Sequence, residues 1–120
     1  MRMALLSLLA ALPVASSTVA LGQQDISAKA YYLGCKAFAQ GQFGEGPAVS
    51  QGACAGAMVA LLGVAGHLNP EFSFCPPSGE NAGQMARVVV AGMDIHPQLM
   101  HEPFIALAIT ILRDTWPCAH

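Results

Sequence analysis

The sequence predicts a small all-α protein, a four-helix antiparallel bundle held by two disulfides. Three observations predict it. Four stretches carry apolar residues at helical spacing, and clusters of Gly and Pro separate them. Four cysteines, Cys35, Cys54, Cys75 and Cys118, are widely spaced and all lie beyond an apolar N-terminal leader. Hydrophobic residues make up 54% of the 120 residues and charged ones only 10%, which suits one small domain behind a removable apolar segment.

The leader comes first. Met1-Arg2-Met3 is a short basic start, and Ala4 to Ala15 is apolar apart from Ser7 and Pro13. Small residues then run to Gly22. This order of regions is that of a secretory signal peptide. The expected organisation is a signal peptide over residues 1–22, cleaved after Ala20 or after Gly22, and a domain over residues 23–120. The run is shorter than the ~20 apolar residues a membrane span needs.

The first helix is predicted from Ser27 to Ala39. Asp25 or Ser27 can cap its free amides, and Tyr31, Cys35 and Phe38 fall on one face. Gly41 stops it. The segment Gly41 to Ser50 reads as a loop. The second helix is predicted from Gln51 to Gly66. Its stretch Ala53–Gly66 contains no charge and reads as a buried core helix of a soluble protein rather than a span. Gly52, Gly56 and Gly63 each weaken that helix by up to ~1 kcal/mol against alanine, so close packing by a neighbouring helix is expected there.

Asn69-Pro70 and Cys75-Pro76-Pro77-Ser78-Gly79 read as a rigid, non-helical connection. Asn81-Ala82-Gly83-Gln84 resembles a capping box and opens a third helix, Ala82 to Met93, with Met85, Val88, Val89 and Met93 as its stripe. A fourth helix begins near Pro97 or Pro103, where proline is tolerated, and runs to Thr115. Phe104, Leu107, Ile111 and Leu112 face inward, and Pro117 ends it.

The cysteine pairing follows from this layout. Four cysteines allow three connectivities. Let the first helix run up and the second down. Cys35 and Cys54 then both sit ~5–6 Å below the same connecting loop. If the fourth helix also runs down, Cys75 and Cys118 meet at the other end. The pairs Cys35–Cys54 and Cys75–Cys118 are therefore expected. No Cys-x-x-Cys pair suggests zinc or redox chemistry.

Charge excludes some functions. Beyond the leader, Lys29, Lys36, Arg87 and Arg113 face Asp25, Glu45, Glu71, Glu80, Asp94, Glu102 and Asp114. No basic patch or basic amphipathic stretch marks a nucleic-acid or membrane-surface binder. Catalytic signatures are absent: no H-E-x-x-H, no G-x-S-x-G and no phosphate loop. His67, His96, His101 and His120 read as surface or capping histidines rather than metal ligands. Cys118 with His120 lacks a third orienting group. Neither a catalytic residue nor a cofactor or metal site is expected. A partner-binding edge is placed on two loops, at Glu71, Phe72 and Glu80 around Cys75, and at Asp94, His96 and Glu102 in the turn before the last helix.

Taken together, the residues resemble a known family. A cysteine near the end of helix one is followed by Cys54-Ala55-Gly56 opening an apolar helix. Next come Phe74-Cys75-Pro76, Gln84 and Val88-Val89-Val90. The order closes with His96-Pro97, Leu99, His101-Glu102-Pro103 and Trp116-Pro117-Cys118. This order resembles the Rap/Tai immunity-protein family over nearly the whole domain. The resemblance implies a small, helical, disulfide-bonded protein of the bacterial periplasm. It implies binding to, and inhibition of, a peptidoglycan amidase toxin delivered by type VI secretion, with a cognate amidase effector as partner and, often, a homodimer. The sequence departs from the family where Ala57 and an uncharged run follow the Cys-x-Gly. The alternative reading is a small periplasmic structural or chaperone-like helical protein with no dedicated toxin. A metal or redox protein is the third.

Overall fold

The computed structural model describes residues 24–119. The expected leader and its cleavage site lie outside the described residues, as does His120. Four helices form: α1 (Ala28–Ala39), α2 (Ala48–Val64), α3 (Ala82–Ile95) and α4 (Phe104–Thr115). Short 3-10 turns at Ala65–His67 and Pro97–Leu99 follow α2 and α3. Among the described residues there is no strand, only an isolated bridge between Ser27 and Pro103.

Each helix starts where local chemistry places it. The Ser27 hydroxyl accepts from Ala30 N–H at the head of α1, relieving one of the amides a helix start leaves unpaired. At the head of α3 the full capping box forms. Asn81 Oδ1 accepts from Gln84 N–H, and Gln84 Oε1 accepts from Asn81 N–H, both at 3.0 Å. Gln51 is buried at the start of α2 and ties the preceding loop down, donating to Gln42 C=O and accepting from Gly44 N–H.

The core is built from one stripe per helix. Cys35, Cys54, Met58, Met85, Val89, Met93, Phe104 and Leu112 are almost wholly inaccessible, and Tyr31 stacks on Phe104 with ring centroids 4.4 Å apart. Burying large side chains of this kind contributes roughly 1.5–3 kcal/mol each. α1 packs on all three other helices, and α3 does the same; α2 and α4 lie outside this central pair.

Both expected disulfides are present, Cys35–Cys54 with Cα atoms 5.2 Å apart and Cys75–Cys118 with 4.9 Å. The first sits where α1 and α2 approach most closely. Gly34 allows that approach: a Cβ there would overlap the backbone of Ser50 and Gln51.

The route of the chain differs from the expected one. α1 is antiparallel to α2, as Cys35–Cys54 requires. α1 is also antiparallel to α3: Tyr32 near its start bonds to Asp94 near the end of α3, and Ala39 at its end bonds to Arg87. α2 and α3 therefore point the same way. The connection 68–81 is long and stiffened by Pro70, Pro76 and Pro77. Extended chain covers ~3.3 Å per residue against 1.5 Å in a helix, so it can return along the bundle, with Phe74 buried as its anchor. α4 then starts beside the start of α1, not beside its end. Phe104 N–H donates to Ile26 C=O, and Ala28 N–H to Glu102 C=O, both at 2.8 Å. Cys118 reaches Cys75 because Trp116 C=O accepts from Cys75 N–H alongside this returning connection.

α2 also departs from the expected buried helix. Its buried residues are Gln51, Cys54, Met58 and Leu61, continued by Ala65 in the 3-10 turn. That is a narrow stripe repeating every three or four residues. The opposite face stays open, with Val49 79% and Val59 62% exposed. A Cβ added at Gly52, Gly56 or Gly63 would meet nothing. The close-packing glycines are Gly34 and Gly92, the latter pressed against Ile111. The hydropathy of the run comes mainly from Val49, Met58, Val59, Leu61, Leu62 and Val64, and its three valines are left exposed rather than buried. Among the described residues, the stretch Ala48–His67 is long and apolar enough to cross a membrane by length and composition, with 28% of its most apolar window buried.

Candidate partner-binding surface

The six residues expected at a binding edge do not form one cluster. Glu80 sits beside Asn81, the cap at the start of α3, whereas Asp94 and His96 lie at its other end, ~20 Å away along a helix of that length. Glu71 and Phe72 belong to the returning connection. Phe72 is half exposed and lines an apolar cleft on the outer face of α4, with Ile105, Ile109 and Arg113. Glu102 stands in the turn before α4 and pairs with His101 at 3.3 Å; its carbonyl also holds the start of α1. Two of the six, His96 and Glu102, thus share the turn between α3 and α4, and Asp94 lies in the last turn of α3 just before it.

That turn continues into a larger feature. Along α3 the residues Arg87, Ala91 and Ile95 recur at intervals of four and all face outward. They form a ridge with a cleft on each side. On the α4 side an apolar groove of about 400 Å³ is lined by Val88, Gly92, Ile95, His96, Ile111 and Asp114. Gly92 makes the floor possible, since any side chain would meet Ile111. Ile95 is 72% exposed on its rim. Such an apolar concavity with a few polar groups at its edge is the usual form of a recognition site.

On the α1 side the cleft is smaller, about 250 Å³, and the polar side chains of Lys36, Gln40, Arg87 and Asp94 line it together with Ala39, Val90 and Ala91. Its parts are held in place. The Tyr32 hydroxyl donates to Asp94 Oδ1 at 2.6 Å, and the hydrogen bond to this carboxylate pushes the Tyr32 hydroxyl above its ordinary pKa of 10.0. Lys36 Nζ lies 6.0 Å from the centre of the Tyr32 ring, within cation–π range. Arg87 Nε donates to Ala39 C=O at 2.9 Å, satisfying a carbonyl at the C-terminal end of α1.

Asp94 and His96 of the expected edge lie beside this ridge, whereas Tyr32, Lys36, Arg87 and Ile95 were not placed at that edge by the sequence. Tyr32 and Lys36 lie on α1, and only the packing of α1 on α3 brings them to the ridge. Ile95 was legible as an apolar residue next to a turn. Among the described residues, no group of three or more His, Cys, Asp or Glu side chains is placed to hold a metal ion.

The fold and this surface define a class: a small all-α protein with two disulfides, presenting a helix ridge between an apolar groove and a second cleft that holds Lys36, Arg87 and Asp94. The comparison with known families is specific. The model of the Rap1a immunity proteins matches residues 27–118, nearly all of the described chain, and the chain belongs to that family. With it comes the family's role, immunity to a toxin. No curated protein and no solved structure matches the chain.

Proposed function

We propose that this chain is a periplasmic immunity protein that binds a peptidoglycan amidase toxin delivered by type VI secretion and blocks it. The match of the immunity family over residues 27–118 carries this reading. Two disulfides support an exported location, since such bonds persist in oxidising compartments, and a signal peptide over residues 1–22 would deliver the chain there. Inhibition of this kind needs binding alone, with no cofactor and no catalysis by the chain itself. The ridge of α3 with the turn to Glu102 is the surface we assign to the toxin. It offers an exposed apolar residue, Ile95, beside Arg87 and Tyr32, and arginine and tyrosine are over-represented among binding hot spots.

The open face of α2 supports a second contact, pairing of two copies. It carries no charge between Ala48 and Gly66, so two copies would meet there without like-charge repulsion.

The test is capture by the oxidised, leader-less protein from periplasmic and secreted fractions of its own bacterium. The expected result is one dominant cell-wall hydrolase, whose activity falls on binding. His96→Ala and Glu102→Ala should weaken that complex without unfolding the domain. A diffuse set of unfolded clients would instead favour the chaperone-like reading.

A further inference from the structure

We propose that the cleft between α1 and α3 is a receptor for one acidic side chain of the partner protein, with Lys36 and Arg87 taking its carboxylate. The inference rests on the reading of this chain as a binding protein and names the chemistry of one contact.

The chain is acidic, with a formal net charge of -2, yet two of its few cations line this one cleft. Neither has a carboxylate within ion-pair distance; among the described residues the one basic–acidic contact that close is His101–Glu102, at 3.3 Å. The acid that does line the cleft, Asp94, is already engaged by the Tyr32 hydroxyl. Arg87 is oriented rather than loose. Its Nε is committed to Ala39 C=O, which leaves the terminal amino groups of the guanidinium to face a ligand. A carboxylate suits that fork, because its two oxygens can accept parallel N–H bonds. Lys36 adds a second charge above the Tyr32 ring.

An open cleft of this kind holds a free anion weakly, since exposed ion pairs contribute little. A carboxylate carried on a docked protein meets the same cations at high effective concentration. The cleft therefore reads as one contact within a larger interface. The acidic excess elsewhere on the chain disfavours a broadly acidic partner. The complementary surface is a single Asp or Glu on a neutral or basic loop.

The test needs no toxin. The ¹⁵N-labelled oxidised protein is titrated with a blocked Gly-Glu-Gly tripeptide, and with Gly-Gln-Gly at matched ionic strength. The Arg87 Nε–H and Lys36 amide resonances should move progressively with the Glu peptide and little with the Gln peptide. The Lys36 amide response should be lost in Arg87→Gln, partly kept in Arg87→Lys and enlarged in Asp94→Asn. Lys36→Gln, which removes no hydrogen bond, gives the same reading through Arg87 if Arg87→Gln fails to fold. Equal shifts with both peptides, or a response unchanged in Lys36→Gln and Arg87→Gln, would overturn the proposal. Toxin inhibition would be untouched by that result, and its own failure would leave this titration standing.

Discussion

The Tyr32 hydroxyl and the Asp94 carboxylate meet at 2.6 Å across the seam of the two central helices. The bond is side chain to side chain and joins the first turns of α1 to the last turn of α3. It also fixes the polar cleft, since Lys36 lies over the same ring. Its pH dependence follows from its sign. The folded Tyr32 hydroxyl titrates above its ordinary 10.0, because the bond to Asp94 favours the protonated phenol. Any stability from this bond is therefore fully present below pH 10.0 and is lost as pH rises through the folded value. Asp94→Asn should return Tyr32 ionisation to near its ordinary range, read by near-ultraviolet absorbance during alkaline titration. A phenol that titrates identically in both proteins would contradict the contact.

The two disulfides should differ in reactivity. Cys35 and Cys54 are fully buried, whereas Cys75 is exposed. A thiolate must reach a sulfur to exchange with it, so mild reductant should open Cys75–Cys118 first, seen by alkylation and mass mapping. In the chain-entropy model, closing loops of 19 and 43 residues stabilises by about 3 and 4 kcal/mol respectively. Selective reduction should therefore lower the melting temperature substantially while leaving α1 joined to α2.

Glycine substitutions should divide by environment. Gly92→Ala drives a methyl into Ile111 and should destabilise by about 1–3 kcal/mol through overpacking. Gly34→Ala should do at least as much, because its obstacle is the backbone of α2 and not a movable side chain. Gly56→Ala meets open space and should stabilise the monomer by about 0.5–1 kcal/mol through helix propensity. Denaturant melts of the three variants check the ordering.

Asn81→Ala removes the acceptor for Gln84 N–H and breaks the reciprocal pair at the head of α3. The expected cost is about 1 kcal/mol. Gln84→Ala should cost less, because Asn81 retains its own bond to the backbone.

Much of this fold was legible because its signals are local. Ser27 and the Asn81–Gln84 box placed two helix starts within a residue, and the start of α4 was narrowed to Pro97 or Pro103, of which the structure takes the second. Helical spacing identified Met85, Val89, Leu107 and Ile111 as core. Cys35–Cys54 was reached because α1 and α2 are joined by a short loop, whereas Cys75–Cys118 was reached from a layout whose direction the structure reverses for α3 and α4. Direction along the bundle was not legible beyond α2. The connection 68–81 shows its stiffness in Pro70, Pro76 and Pro77, but its course depends on where Phe74 is buried, a tertiary fact. The α2 glycines misled for a related reason: small residues read as close packing whether or not a neighbour is there. Family membership was legible from motif order. The cleft between α1 and α3 was not, since Lys36 comes beside Arg87 and Asp94 only when α1 lies against α3.

The bridge between Ser27 and Pro103 has a consequence for how the molecule is made. The first turn of α1 is finished by carbonyls from Met100 and Glu102, and α4 begins on the carbonyl of Ile26. A chain that emerges N-terminus first therefore lacks these protein partners for the first amides of α1 until residues 100–102 have arrived. Such long-range closure slows folding relative to bundles stitched from neighbours, and it keeps the nascent chain open until late.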